Sequence, residues 1–364
     1  MSEKVRIGII GTSPWTDMMH LANLNSHPQT DLVAICGRTP ERAEEVAEKY
    51  KIPNVFGDYR EMIREADLQA LVVVAPDDLH YPMTMEALEA GLHVICEKPL
   101  AANVDQAKEM YEKAEGKGVK HMTFFTYRWM AHYQYLKHLV DEGYIGKCHH
   151  IHLHYMAGSN RTATRYKWRY DRKRANGVLG DLGSHMIDMA RWLLGDIVKV
   201  DAHLSVFSKL PGSGDQPLDP ANDSAIVYLE FKNGTQGIVH ASNVAYTGDR
   251  GQRHDITLHG ESGTLEAHFS LNKGTEIQGI QQGEKQFAVL PIPESILGDV
   301  DQTQPFLTQI GEAFTTQSVA NRLFIDAILE DKPVSPSFYE GLKVQEVIDA
   351  AVDSDENRNW ISLG

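Results

Sequence analysis

Cysteine is scarce: three in 364 residues, at Cys36, Cys96 and Cys148, none in a C-x-x-C pair. That scarcity excludes a disulfide scaffold and a cysteine-based zinc ribbon, and it reads as three buried, reduced thiols in a cytoplasmic protein. Positive charge is also short. Thirty-five Lys and Arg stand against 50 Asp and Glu, a net charge of −15. A field of that sign repels phosphate backbones and anionic headgroups, so neither nucleic acid nor a membrane surface is an expected partner. No apolar run approaches the ~20 residues of a membrane span. Residues 1–4 lead straight into an apolar strand, so no secretory leader is expected. Repeats and low-complexity segments are missing as well. What remains is a globular composition, 42% hydrophobic and 23% charged, in a chain long enough for two domains.

The first third alternates short apolar runs with helical patterns. Strands are expected at Val5–Ile10, Leu32–Cys36, Ala70–Val74, Leu92–Cys96 and Val119–Phe125. Helices are expected at Trp15–Ser26, Pro40–Tyr50, Leu79–Ala90 and Val104–Glu115. Nearly continuous apolar strands alternating with helices predict a parallel sheet of βαβ units, an α/β domain over residues 1–126. Near Tyr127 the rhythm changes to alternating strands and Gly-rich turns. Candidates are His149–Met156, Lys199–Phe207, Ala225–Phe231, Thr235–Ser242, Asp255–His259 and Gly263–His268, with a loop over Lys209–Asn222 and helices at Gly311–Glu330 and Tyr339–Asp353. Residues 127–364 therefore read as an α+β domain with a mostly antiparallel sheet, whose last helix can pack back toward the first domain.

The turn after the first strand reads Gly8-Ile-Ile-Gly11-Thr12-Ser13-Pro14-Trp15-Thr16. A dinucleotide fold places its phosphate loop there, although the G-x-G-x-x-G pattern keeps only its first glycine. Ser13 followed by Pro14 is a helix start, a hydroxyl N-cap and a proline at the first helical position. The helix amino end offers N–H groups to a phosphate. Ser13 Oγ can replace the donor that Pro14 lacks. The second strand ends Cys36-Gly37-Arg38-Thr39, without the acid that holds an NAD ribose. Arg38 and Arg42, four residues apart, suit a 2′-phosphate and favour NADP over NAD. The alternatives are two surface arginines, or Arg38 stacked on the adenine of either cofactor.

Four segments then carry a family likeness: the Gly8–Thr16 loop, Ala75-Pro76-Asp77-Asp78-Leu79-His80, Glu97-Lys98-Pro99, and Gly180-Asp181-Leu-Gly-Ser-His185. Together they resemble the Gfo/Idh/MocA family, the relatives of glucose–fructose oxidoreductase and inositol dehydrogenase, over essentially the whole chain. Ala75 and Asp77 stand where relatives usually carry Thr and Asn. The resemblance implies a Rossmann domain followed by a domain with a large open antiparallel sheet. It implies Lys98, Asp181 and His185 as the catalytic group, acting on a sugar or polyol, and a homodimer or homotetramer. It also implies cofactor contacts from Gly11, Thr12, Ser13, Pro14, Trp15, Arg38, Arg42, Ala75, Pro76, His80, Glu97 and Lys98.

The residue types suit that chemistry. Moving a hydride off a carbinol needs a base for the hydroxyl proton, and an imidazole with an unperturbed pKa of about 6.5 serves as base or acid. Lys98 can hold charge developing on the oxygen. Asp181, four residues before His185, shares its helical face and can fix substrate or orient the ring. Leu182, Met186, Met189 and Leu193 recur at helical spacing as the core-facing stripe, leaving Asp181, His185 and Asp188 on another face. Tyr127, Arg128, Trp168, Arg169 and Asn176 are expected to line the sugar pocket, with Tyr166 nearby. Two rival classes are an NAD-dependent glycosidase using transient oxidation and a non-catalytic dinucleotide-binding regulator. The run His149-His-Ile-His-Leu-His154 puts His150, His152 and His154 on one strand face and buries Ile151, Leu153 and Tyr155 on the other. With no acidic or cysteine partner nearby, no metal site is expected there.

Overall fold

The computed structural model describes residues 4–212 and 218–364. Its contacts divide the chain into two compact units. One is Met1–Phe125 with Thr308–Leu342; the other is Thr126–Leu307 with Lys343–Gly364.

Among the described residues of the first unit, six parallel strands form one sheet: β1 (Val5–Ile10), β2 (Thr30–Cys36), β3 (Asn54–Phe56), β4 (Ala70–Val73), β5 (His93–Cys96) and β6 (His121–Thr123). Their order is β3-β2-β1-β4-β5-β6, the doubly wound arrangement in which the winding direction reverses between β1 and β4. The central strands are largely buried because helices cover both faces; every residue of β4 is buried. The crossovers are α1 (Ala22–Ser26), preceded by a π-helical stretch Thr16–Leu21, then α2 (Pro40–Tyr50), α3 (Tyr59–Glu65), α4 (Asp77–Glu89) and α5 (Val104–Lys117). The short pair β3 and α3 was not anticipated. Three strand residues with two of them exposed leave no apolar run to read.

The returning segment Thr308–Leu342 contributes the helix Ala320–Leu329 to this unit. The single helix expected over Gly311–Glu330 is two, Phe306–Thr316 and Ala320–Leu329. Thr315 and Thr316 turn their hydroxyls back onto the Gly311 and Glu312 carbonyls, at 2.9 and 2.8 Å, at the end of the first. Ala320 opens the second with φ +52°. It docks on the first crossover through the pairs His27–Asp326 (3.0 Å) and Arg322–Ser26 (2.9 Å).

The second unit holds a nine-stranded sheet among the described residues: β7 (Cys148–Met156), β8 (Ile197–Ser205), β9 (Ser224–Phe231), β10 (Gln236–Ser242), β11 (Arg253–Gly260), β12 (Gly263–Ser270), β13 (Gly274–Gln281), β14 (Ala288–Val289) and β15 (Ile361–Ser362). All neighbours are antiparallel except β7 and β10. One face of β7 buries Ile151, Leu153 and Tyr155, while the other leaves His150, His152 and His154 partly or fully exposed. β13 was missed because its inward position 279 is a glycine. Tyr144 Oη packs there, 2.6 Å from where a Cβ would sit, so no alternating apolar signal exists. Against the sheet lies α7 (Ser184–Leu194), preceded in the chain by α6 (Ala131–Asp141). Residues 213–217 of the expected loop lie outside the described residues. Among the described residues, no helix is long and apolar enough to cross a membrane, and no group of three or more His, Cys, Asp or Glu is placed to hold a metal ion.

Candidate active site

Strand register gathers the first unit's predicted residues at one edge. Ile10 pairs with Cys36 and with Val73, and Val73 with Cys96, so β1, β2, β4 and β5 end level with one another. Just beyond those ends follow Gly11, Arg38, Ala75 and the Glu97–Lys98 pair. Gly11 has φ +114°, and a Cβ there would lie 2.2 Å from the Val74 carbonyl oxygen, so only glycine fits. Ser13 Oγ accepts the Thr16 N–H at 3.1 Å and lies 2.9 Å from Thr16 Oγ1, so the hydroxyl caps its own helix. Arg42 donates Nε–H to the Thr12 carbonyl at 3.2 Å and pairs with Glu45 at 2.7 Å. Arg38 is exposed beside it. A glycine-only turn, a capped helix start and two arginines at the reversal of strand order fit a dinucleotide phosphate and its ribose end.

Behind this edge lies a buried polar network that the sequence reading did not include. Glu97 Oε1 accepts the Trp15 indole N–H at 2.5 Å and lies 2.8 Å from His20 Nε2. Its Oε2 accepts the Lys98 backbone N–H at 3.2 Å. Burial alone would raise the Glu97 carboxyl. The His20 hydrogen bond and charge, the Lys98 charge and the Trp15 donor outweigh it and hold the group below the ordinary carboxylate value. The carboxylate and the indole, both expected as cofactor contacts, thus bond to each other. His80, fully buried, sits between the Pro99 carbonyl (2.8 Å) and the Ala75 carbonyl (2.9 Å), fastening the segment after β4 to the one after β5. Burial pushes its ring toward the neutral form against the pull of those two carbonyls.

In the second unit, Asp181 lies on the π-helical stretch Leu179–Gly183 that runs directly into α7, and His185 is the second residue of α7. Such wide turns concentrate at functional sites. Arg169 Nε is 3.3 Å from Asp181 Oδ1, and its guanidinium lies 4.1 Å from the Trp168 ring centroid. The Tyr127 ring is 4.3 Å from the His185 ring, and its hydroxyl bonds that of Tyr155 at 2.8 Å. Burial drives both phenols well above their ordinary value, so both stay protonated. Trp168, Arg169, Asp181, His185 and Tyr127 are therefore brought together in two adjoining clusters. Arg128 directs both its Nε and Nη2 at Asp188, and both side chains are buried. Asn176 lines a cavity of about 180 Å³ with Arg172, Asn222 and Glu356, whose lining does not include Asp181 or His185.

Residues 5–125 match the profile of the oxidoreductase family's NAD-binding Rossmann fold, and residues 137–363 match the same family's C-terminal alpha/beta domain. The chain belongs to the Gfo/Idh/MocA oxidoreductase family. Similar members include the levoglucosan dehydrogenase of Pseudarthrobacter phenanthrenivorans, 30% identical over 354 residues, which are 90% of this chain and 88% of that protein. The myo-inositol 2-dehydrogenase of Thermotoga maritima is 28% identical over 284 residues, 77% of this chain and 80% of the relative. Among solved structures, a levoglucosan dehydrogenase in complex with NADH and L-sorbose superposes with a TM-score of 0.88 at 28% identity, covering 100% of this chain and 99% of that one. Like other Gfo/Idh/MocA members, the chain is an oxidoreductase with an NAD-binding Rossmann domain and a largely antiparallel second sheet.

Proposed function

We propose that this protein catalyses reversible hydride transfer between a nicotinamide dinucleotide and a secondary alcohol of a sugar, cyclitol or related polyol. The observation that carries this reading is the Asp181–His185 pair at the head of α7, flanked by Arg169, Trp168 and Tyr127. Its membership of a family whose named relatives are sugar and inositol dehydrogenases supports the substrate class. The turn after β1 and the helix start that follows it would hold the dinucleotide, which when bound would supply the hydride acceptor or donor. His185 takes the hydroxyl proton in oxidation and gives it back in reduction. Lys98, at the same edge of the first unit as the dinucleotide turn, is assigned the electrostatic part of the reaction. Asp181, steadied by Arg169, orients substrate, and the Trp168 and Tyr127 rings offer apolar faces to a polyol's C–H surface. Arg128 is assigned to bracing α7, since its donors are turned to Asp188.

The cofactor preference we infer is NADP. No acid ends β2, exposed Arg38 stands at that position, and Arg42 occupies the first turn of α2. A panel of sugars and polyols with NAD⁺ and NADP⁺, followed at the reduced-nicotinamide absorbance, tests both points. Turnover on at least one secondary alcohol is expected, with NADP⁺ giving the higher kcat/KM. A clear preference for NAD⁺ rejects the cofactor inference; no turnover across the panel rejects the substrate class.

A further inference from the structure

The hydrogen-bond partners of His20 limit where its protons can sit. The Met19 carbonyl can only accept, so the Asn321 amide nitrogen must face it, at 2.9 Å. That orientation turns Asn321 Oδ1 toward His20 Nδ1, at 3.1 Å, and Nδ1 must carry a hydrogen to bond it. The other ring nitrogen, Nε2, meets Glu97 Oε1 at 2.8 Å. That oxygen already accepts the Trp15 indole N–H, and Oε2 accepts the Lys98 N–H, so three donors converge on a carboxylate. A neutral ring protonated at Nδ1 would bring a bare Nε2 lone pair against it. One proton therefore lies between Nε2 and Oε1, and with the Trp15 and Lys98 donors already turned to the Glu97 oxygens it belongs on the ring. The pair is wholly interior, with side-chain exposures of 0% for His20 and 8% for Glu97, so a charge on one must be answered by the opposite charge on the other.

The placement gives the pair a consequence. His20 and Trp15 belong to the helix that leaves the dinucleotide turn, Glu97 adjoins Lys98, and Asn321 belongs to the returning helix Ala320–Leu329. We propose that His20 is a positioning residue: held as an imidazolium between Asn321 and Glu97, it keeps the Glu97 carboxylate ionised in the interior and thereby locks the helix after the dinucleotide turn to the backbone of Lys98. This role rests on the reading that Lys98 works beside the nicotinamide. It is distinct from that of His80, whose two acceptors are neutral backbone carbonyls: with no hydrogen-bonded carboxylate to answer a charge there, burial favours its neutral ring.

Two measurements on the full-length protein test this, and neither needs an alcohol substrate, so a wrong substrate class leaves their outcome unchanged. The first is the long-range ¹⁵N imidazole spectrum of ¹⁵N-histidine-labelled protein, with the His20 signals identified by their loss in His20→Gln. Both ring nitrogens are expected in the protonated range at neutral pH; an unprotonated Nε2 signal overturns the proposal. The second is a double-mutant cycle read by NADPH or NADH fluorescence titration, whichever binds the parent more tightly. His20→Gln and Glu97→Gln are each expected to weaken binding about tenfold, each leaving an unbalanced group in the interior. The double variant, with neutral partners on both sides, is expected within about threefold of the parent. Additive losses, or single variants that bind like the parent, overturn the positioning role. If His20→Gln fails to fold, the spectrum of the parent alone, assigned through Glu97→Gln shifts, still decides the protonation state.

Discussion

Arg128 and Asp188 face each other across two hydrogen bonds, 2.8 Å from Nε and 2.6 Å from Nη2, with both side chains buried. A buried ion pair adds little over an apolar pair, but removing one partner strands a charge and costs about 3–5 kcal/mol. Asp188→Ala should therefore lower the free energy of unfolding in denaturant by that amount. Arg128→Met combined with Asp188→Leu should recover most of it. Equal losses in the single and double variants would show that the two residues act separately. The contrast with Lys98, Asp181 and His185 says what a sequence reveals at this scale. Those three sit in short motifs, Glu-Lys-Pro and Asp-x-x-x-His, and it is the likeness of those motifs to a family's that singles them out. Arg128 and Asp188 are 60 residues apart, and His20 and Asn321 are 301 apart. A pairing made only by the tertiary fold leaves no local pattern. Arg128 was accordingly expected as a substrate contact, and His20 was not singled out at all.

The turn between β1 and its helix depends on one glycine, since any side chain at position 11 must enter the Val74 carbonyl. Gly11→Ala should displace the turn and weaken dinucleotide binding by more than tenfold, an order-of-magnitude expectation from the forced shift at a positive φ. A fluorescence titration checks it, and unchanged affinity would mean that this turn does not hold the cofactor. Within the second sheet, β11 and β12 are joined by Asp255 and His268, 2.8 Å apart, with Arg253 also on Asp255. The Asp255 hydrogen bond raises His268 above its ordinary 6.5, burial opposing. Burial would raise Asp255, but His268 and Arg253 hold it below its ordinary 3.8. The histidine's contribution to stability is full below pH 6.5 and fades as pH rises through its raised value. The aspartate's is full above 3.8 and fades as pH falls. Asp255→Asn should thus lower Tm by about 1–3 °C more at about pH 5.5 than at about pH 9. An equal loss at both would deny the histidine a part. Elements as such were well signalled where apolar residues recur. The strands at Val5–Ile10 and Gly263–Ser270 and the helix Pro40–Tyr50 fall close to expectation. β3 and β13 escaped because three exposed residues, or a glycine at the inward position, remove the pattern.

At the scale of the whole chain, alternation of buried strands with helices was enough to indicate a parallel sheet, and period-two patterning enough to indicate a second, largely antiparallel one. Right-handed crossovers fix which face each helix covers, while the order β3-β2-β1-β4-β5-β6 is set by the observed strand pairing. The return of Thr308–Leu342 to the first unit was not legible, because its apolar stripe does not state which surface it covers. The cofactor inference belongs here too, since it joins the end of β2 to the first turn of α2. Arg38→Ala with Arg42→Ala should reduce kcat/KM for NADPH about tenfold or more while leaving NADH within a few-fold, and an equal loss for both would assign these arginines to something other than the 2′-phosphate. The central claim is that Lys98 and His185 carry out the acid–base and electrostatic work of hydride transfer. Its most direct test is kcat for Lys98→Ala and His185→Ala on the best substrate of the sugar and polyol panel, with dinucleotide affinity measured alongside. A fall in kcat of about 10²–10⁴ is expected for each, with folding retained in both and dinucleotide affinity retained in His185→Ala. Turnover at the parent's rate in either variant would contradict it.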